Sequence, residues 1–264
     1  MVIVTDRYLE LALDCINAFY ARMFRDWPTA VSYSSEHAIM SYSGSTRLTG
    51  ANHLWLNSLD GLTSETLEEA SQFFNQYHAA WSVVITDSAM PSGLDFLREE
   101  GYFTRWTSPL MVLDRPPNPL PARDDVKVIR ASTPEHLRDM ALIMSEAFAT
   151  GDDVNRRVTR QTHLRAKDVV HYLIYAGPHP AACATAVLSG KMGGIWNVGT
   201  RYRFRRQRYA TTVMNAMLAD LKERGADATM LMASEAGYPL YEQLGYRQIG
   251  TTHYMGPPYT PRFN

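Results

Sequence analysis

Five arginines, Arg201, Arg203, Arg205, Arg206 and Arg208, fall within the eight residues that run into "YATTVMNAMLADLKERG". That following segment reads as an amphipathic helix. Val213, Met214, Met217, Leu218 and Leu221 recur on one face, and Gly225 supplies a stop. A helix N-terminus is already the positive end of the helix dipole, so cations crowded there are unfavourable by themselves. Its first backbone N–H groups point outward and make an anion site. The chemistry this stretch can do is to hold phosphate. The other reading is a solvated basic turn, or arginines paired with nearby carboxylates, and charge alone leaves both open.

The rest of the chain bounds what that chemistry serves. With 264 residues, 45% of them hydrophobic, and a formal net charge of -1, it has the profile of an ordinary globular protein of one large or two small domains. A nucleic-acid binder carries its basic excess over a whole domain, whereas here the positive charge is local, so no nucleic-acid partner is expected. Cys15 and Cys183 are too few for a disulfide framework, and no His/Cys/Asp/Glu set has metal-ligand spacing, so no metal is expected. No apolar run reaches membrane-spanning length and no signal pattern opens the chain, which predicts a cytoplasmic protein without a membrane partner.

The elements that must position the arginines are legible in the second half. The segment "DRPPNPLPARDD" (114–125), with four prolines in six positions, can continue neither a helix nor a central strand and reads as a stiff linker. Beyond it "VKVIRAS" alternates as a strand, and "TPEHLRDMALIMSEAFA" reads as a helix with Thr133 as N-cap and Pro134 in the first turn. A polar helical stretch is expected over 153–166. Three strands follow, "VVHYLIYAG", "AACATAVLSG" and "GGIWNVGT", and then the arginine segment and its helix. A strand "ATMLMAS", a short helix "YPLYEQLG" and a strand "YRQIGTTHYM" close the chain.

This order, with "NVGTRYRFRRQRYAT" at a strand-to-helix turn and "ASEAGYPLYEQLGY" near the end, resembles the GNAT superfamily of acyltransferases. The family's donor loop, R/Q-x-x-G-x-G/A, matches as Arg205, Arg206, Gln207, Arg208, Tyr209 and Ala210, with Arg208 in place of the central glycine. The closing Tyr-x-x-x-Gly-aromatic element matches as Tyr241 to Tyr246. The resemblance covers residues 126–256. It implies an α+β fold, an α/β/α sandwich whose mixed, mostly antiparallel sheet is flanked by helices.

The first half repeats the ending of the second. "LDFLREEGYFTRWTSPLMVL" aligns with "PLYEQLGYRQIGTTHYM" when Gly101-Tyr102 is set on Gly245-Tyr246, and Leu97 then takes the place of Tyr241. The helix "SETLEEASQFFNQYH" has an acidic first turn and no donor loop before it. The expected organisation is two GNAT-like domains: 1–113 degenerate, 114–125 linker, 126–264 catalytic.

The resemblance implies transfer of an acyl group from a pantetheine thioester to an amine of a small-molecule acceptor. The donor is acyl-CoA (acetyl-CoA) or the 4'-phosphopantetheine of a carrier protein. Arg205, Arg206, Gln207, Arg208, Tyr209, Ala210 and Thr211 would cradle phosphate, and Val198, Gly199 and Thr200 would run along the pantetheine arm. Asn197 and Val198 would polarise the acyl carbonyl, and Tyr241 would protonate the departing thiolate, with Ser234 seven residues before it. The general base stays open among Glu235, His163, His171, Asp152, Asp153 and a held water. The region near 152–166, with the cleft between the halves, is where a small acceptor would be enclosed. Glycine at 208 would let backbone approach phosphate closely, so arginine there predicts binding more by guanidinium. An acidic acyl or peptidyl carrier protein docking on Arg201, Arg203, Arg205, Arg206 and Arg208 fits the same charge. A catalytically silent GNAT-like binding or regulatory module is the alternative that the loss of that glycine favours.

Overall fold

The computed structural model describes residues 7–24, 27, 29–35, 37–46, 50–56, 58–149, 155 and 159–258. Asp152 and Asp153 lie outside them. The chain divides into two compact units, one of Met1–Leu9, Phe24–Leu110 and Gln248–Asn264, the other of Glu10–Met23 and Met111–Arg247. This division departs from the linear one at residues 10–23, 111–113 and 248–264. Residues 10–23 and 111–113 belong with the second half of the chain, and residues 248–264 with the first. No helix among the described residues is long and apolar enough to cross a membrane.

In the first unit, β1 (Val31–Ser34), β2 (Ala38–Tyr42) and β3 (His53–Leu56) form an antiparallel run. Helix α2 (Ser64–Gln76), N-capped by the Thr63 hydroxyl, returns the chain to β4 (Ser82–Thr86), which lies parallel to β3. Helix α3 (Gly93–Glu99) and β5 (Phe103–Leu113) follow. The sheet order here is β1-β2-β3-β4-β11-β5, where β11 (Arg247–Gly256) is the last strand of the chain. It runs antiparallel to β4, with Thr252 opposite Thr86 and Met255 opposite Val83. Leu54, Phe74, Val83, Ile85, Leu97 and Met255 share the core of this unit.

In the second unit the order is β10-β9-β8-β7-β6, made of β6 (Val128–Arg130), β7 (Val169–Ala176), β8 (His179–Ser189), β9 (Met192–Thr200) and β10 (Ala228–Met232). β6 to β9 pair antiparallel, and β10 lies parallel to β9. Helix α4 (Pro134–Phe148) starts at the Thr133 cap, whose hydroxyl accepts from His136 N–H. Its Met140, Ile143 and Met144 pack on Leu173 and Cys183. The expected amphipathic helix is α5 (Tyr209–Glu223), and Val213, Met214, Met217, Leu218 and Leu221 are all buried against the sheet. Helix α1 (Arg7–Phe24) brings Cys15 and Phe19 to this unit, where Phe19 stacks on Trp196 with ring centroids 4.1 Å apart. Of the polar helix expected over 153–166, the described part is helical at Asn155 and forms a 3-10 turn at Gln161–Arg165.

The repeat read from sequence has a physical counterpart. Helices α3 and α6 (Tyr238–Leu244) end alike: Tyr102 N–H donates to Leu97 O at 2.8 Å, and Tyr246 N–H to Tyr241 O at 3.0 Å. Gly101 and Gly245 take left-handed φ of 83° and 98° between them. Each is a helix closure in which glycine occupies the left-handed position and the next residue reaches back to the last turn. The order strand, helix, parallel strand, short helix, strand thus occurs twice, as β3-α2-β4-α3-β5 and as β9-α5-β10-α6-β11.

Candidate active site

β9 and β10 pair in parallel from Met192↔Ala228 to Ile195↔Leu231. β9 continues to Thr200 and β10 to Met232 without further register between them. The strands part where the sequence places "WNVGT". Against β8 the same stretch is irregular: Trp196 faces Thr185 and Gly199 faces Cys183, so Asn197 and Val198 together oppose Ala184. That two-against-one count is a β-bulge, and Asn197 takes a left-handed φ of 55° within it. Asparagine tolerates that region better than most residues. Its Nδ2 donates to Thr185 Oγ1 at 3.2 Å, and its carbonyl accepts from the Cys183 thiol at 3.4 Å. Gly199 is needed for space, since a Cβ there would stand 3.1 Å from that of Ala147 on α4.

The arginine segment leads from β9 to α5 through a 3-10 turn at Tyr202–Phe204. Arg206 and Arg208 both have left-handed φ, 59° and 65°, and Arg208 is the N-cap of α5. The backbone at 208 therefore adopts the left-handed conformation that glycine would take freely. Left-handed turns alternating with right-handed residues gather N–H groups into an anion-binding concavity. The first N–H groups of α5 add to it, having no acceptor within the helix. Arg208 O accepts from both the N–H and the hydroxyl of Thr212, and that hydroxyl accepts in turn from Arg123 N–H at 2.9 Å. The Arg123 guanidinium lies over the Tyr209 ring, 4.6 Å from its centroid, and donates to Gln207 O at 3.4 Å. Sequence reading missed Arg123 and Thr212. Arg123 sits in the proline-rich linker, far from the loop along the chain.

The five arginines do different work. Arg201 Nε donates to Glu146 Oε2 at 2.7 Å, and Arg201 NH1 to Pro180 O. Arg205 donates to the carbonyls of Thr200 and Ala147 at 3.1 Å and covers the Tyr202 ring. These two tie the loop to α4, and Arg201 has its charge paired with Glu146 while Arg205 stays exposed. Thr200 O, expected to face the pantetheine arm, already accepts from Arg205. Arg203 rests on the Phe204 ring, and Arg206 and Arg208 are exposed.

Tyr241, in α6, is buried in one core cluster with Tyr209 from the start of α5, and Val198 packs against that cluster. The splayed strand, the helix start and the closing tyrosine thus meet in one core. Burial pushes the Tyr241 phenol above its ordinary range, so it keeps its proton near neutrality. Ser234 is exposed, and its hydroxyl accepts from Gly237 N–H at 3.2 Å, serving the turn before α6. Glu235 is exposed on that turn.

His171 is a poor general base. Burial and the neighbouring His163 lower His171 to about 3, and its two ring nitrogens meet Thr185 Oγ1 at 2.9 Å and His163 Nδ1 at 3.2 Å. Burial holds the Cys183 thiol up at about 12, far from a thiolate. Among the described residues no group of three or more His, Cys, Asp or Glu is placed to hold a metal ion. A cleft of about 340 Å³ opens along α4, lined by Leu137, Ala141, Leu142, Thr159 and Gln161.

Residues 185–249, which span the bulge, the arginine loop, α5 and Tyr241, match the family described as an acetyltransferase (GNAT) domain. This stretch is similar to that family's domain over 65 residues. No curated protein matches it. Among solved structures, a GCN5-related N-acetyltransferase from Kribbella flavida has a TM-score of 0.74 at 15% identity, covering 95% of this chain and 96% of its own. A GCN5-related N-acetyltransferase from Sphaerobacter thermophilus has a TM-score of 0.63 at 15% identity, covering 95% and 93%. A tandem GNAT protein from the clavulanic acid biosynthesis pathway has a TM-score of 0.61 at 10% identity, covering 86% and 83%. At such identities the likeness is one of fold, and it extends over both halves. The α+β architecture, with a mixed sheet flanked by helices, is the one the sequence implied.

Proposed function

We propose that the protein is an N-acyltransferase whose working site lies in the second half, with the first half a GNAT-like repeat that binds no donor. The observation that carries this reading is the parting of β9 from β10 after Ile195 beside a helix start built to receive an anion. Leu97, fully buried in the first unit where α6 has Tyr241, and the acidic first turn of α2 supply neither an acid nor a phosphate cradle.

The donor's phosphate sits at the N-terminus of α5 and its arm lies along Val198–Thr200. The bulge N–H groups at Asn197 and Val198 polarise the acyl carbonyl. The neutral amine attacks that carbonyl, forming the C–N bond, and the C–S bond then breaks. Tyr241 gives its proton to the departing sulfur and regains one from the nitrogen, so protons balance over the cycle. Tyr241 carries a proton at neutral pH, burial strengthens its hold on it, and the strongly basic thiolate that forms beside it draws that proton across. The acceptor is a small amine, and the cleft along α4 is where it enters.

For the donor, acyl-CoA is the reading to test first. Two of the five arginines are spent on Glu146 and on main-chain carbonyls, which leaves Arg203, Arg206 and Arg208 to meet an acidic carrier protein. The experiment measures thiol release from acetyl-CoA with a panel of small amines, and compares the same acyl group on a carrier protein at low and high salt. Release with at least one amine supports the enzyme reading. Binding of acetyl-CoA without release from either donor would favour the silent module. A carrier preference eroded by salt would restore the carrier-protein donor.

A further inference from the structure

A row of polar side chains crosses the otherwise apolar sheet of the second unit. It runs from Asn197 on β9 to Thr185 on β8, His171 on β7 and His163 in the 3-10 turn at Gln161–Arg165. The links measure 3.2, 2.9 and 3.2 Å in that order. His171 and Thr185 are register partners, so the strand pairing itself brings them together. Thr185 is fully buried and His171 only 2% exposed. Burying such groups is costly unless each donor and acceptor is satisfied, and a satisfied row holds its members in one geometry.

The donors and acceptors can be counted along the row. Asn197 Nδ2–H donates to Thr185 Oγ1. For its own proton to be satisfied within the row, the Thr185 hydroxyl donates to its other partner, His171 Nδ1. His171 therefore carries its proton on Nε2 and donates to His163 Nδ1. The consequence falls at the other end. With Nδ2 committed, Asn197 Oδ1, on a half-buried residue, has no protein donor among the described residues. Asn197 stands in the bulge past the last β9–β10 pair, where the strands have parted.

The geometry points to Asn197 Oδ1 as the acceptor of an N–H from the incoming amine, with Thr185 and His171 as positioning residues that keep the amide turned that way. This rests on the acyltransferase reading above. It makes Asn197 a specificity residue: an oxygen acceptor at the bulge favours nucleophiles that carry a hydrogen to donate and rejects carboxylates. The opposite direction of donation would turn the Thr185 hydroxyl onto Oδ1 and consume it.

Two measurements test the proposal. In protein labelled with ¹⁵N-histidine, with His171 assigned through His171→Gln, the wild type should show His171 protonated at Nε2 and bare at Nδ1. A proton on Nδ1 would reverse the row and overturn the proposal. In steady-state kinetics, Thr185→Val should raise the KM of the amine about three- to tenfold, the worth of one hydrogen bond, and leave the donor KM within about twofold. Thr185→Ser should restore wild-type values. Asn197→Gly keeps the left-handed backbone while removing the amide, and should reproduce the Thr185→Val effect even if the valine variant folds poorly. An unchanged amine KM in Asn197→Gly would overturn the proposal. If the wild type releases no thiol with any amine, the acyltransferase reading fails, and with it Oδ1 as an amine acceptor, while the His171 tautomer still reports the direction of the row.

Discussion

Arg201 and Glu146 form an ion pair in which Nε donates to Oε2 at 2.7 Å, and the other carboxylate oxygen accepts from Tyr202 N–H at 2.7 Å. One side chain on α4 therefore holds both the first arginine of the basic segment and the backbone after it. The side chains are 17% and 26% exposed, so the pair is partly shielded from solvent.

Glu146→Gln should loosen the loop at its entrance. The Arg201 hydrogen bond holds the Glu146 carboxyl below the usual carboxylate range. Its stabilisation is thus present above the unfolded value of about 4.3 and is lost as pH falls through the lowered folded value. The expected result is a melting-temperature gap between wild type and Glu146→Gln that is constant from pH 8 to 6 and closes below about pH 4. Donor KM should rise severalfold at neutral pH. A gap that persists in acid would show that the pair's charge is not what holds the loop.

Tyr241→Phe removes one hydroxyl from a buried ring and keeps its packing, including the edge-on contact with Tyr246 at 5.9 Å. Turnover should fall about 10²-fold or more, the usual weight of a proton donor, while donor affinity and melting temperature hold. Turnover within about twofold of wild type, read by thiol release, would remove Tyr241 as the acid.

Arg208→Gly addresses the left-handed φ of 65°. A residue with a Cβ pays about 1–2 kcal/mol there, and glycine gives back about 0.5–1 kcal/mol through its freer unfolded chain. The variant should gain about 0.5–1 kcal/mol in urea unfolding, and Arg208→Ala should not. Equal stability of the two variants would mean that the αL backbone carries no strain.

His171 and His53 are buried, each chiefly lowered by desolvation, to about 3 and about 4. Unfolded, both titrate near 6.5, so below that pH the unfolded state binds more protons and stability falls with pH. Each group contributes a slope of about 1.4 kcal/mol per pH unit between its folded and unfolded values. Urea unfolding of the wild type from pH 7 to 5 should show this loss, and His171→Gln should flatten the curve by one such slope whatever its stability at pH 7. An unchanged slope would place His171 in a solvated setting.

What the sequence determined by itself is local. The apolar stripe from Val213 to Leu221, the Thr133 cap and the closures at Gly101 and Gly245 follow from side-chain spacing and backbone freedom within one or two turns. The turn from β9 into α5 and the short helix carrying Tyr241 were readable for the same reason, as local features of spacing. The tertiary structure decided everything that depends on partners distant in the chain. Residues 10–23 pack in the second unit and β11 pairs with β4, because an apolar face or an open strand edge is satisfied by whatever the fold brings beside it. Arg201 and Arg205, alike on paper to Arg206, are spent on α4 because that helix ends next to the loop. His171 and Thr185 left a trace in sequence, a polar residue interrupting each apolar strand, but their link to each other and to Asn197 exists only through strand register. Hydrogen bonds across a sheet are set by which strands pair and in what alignment, and neither is written in the spacing of residues along one strand.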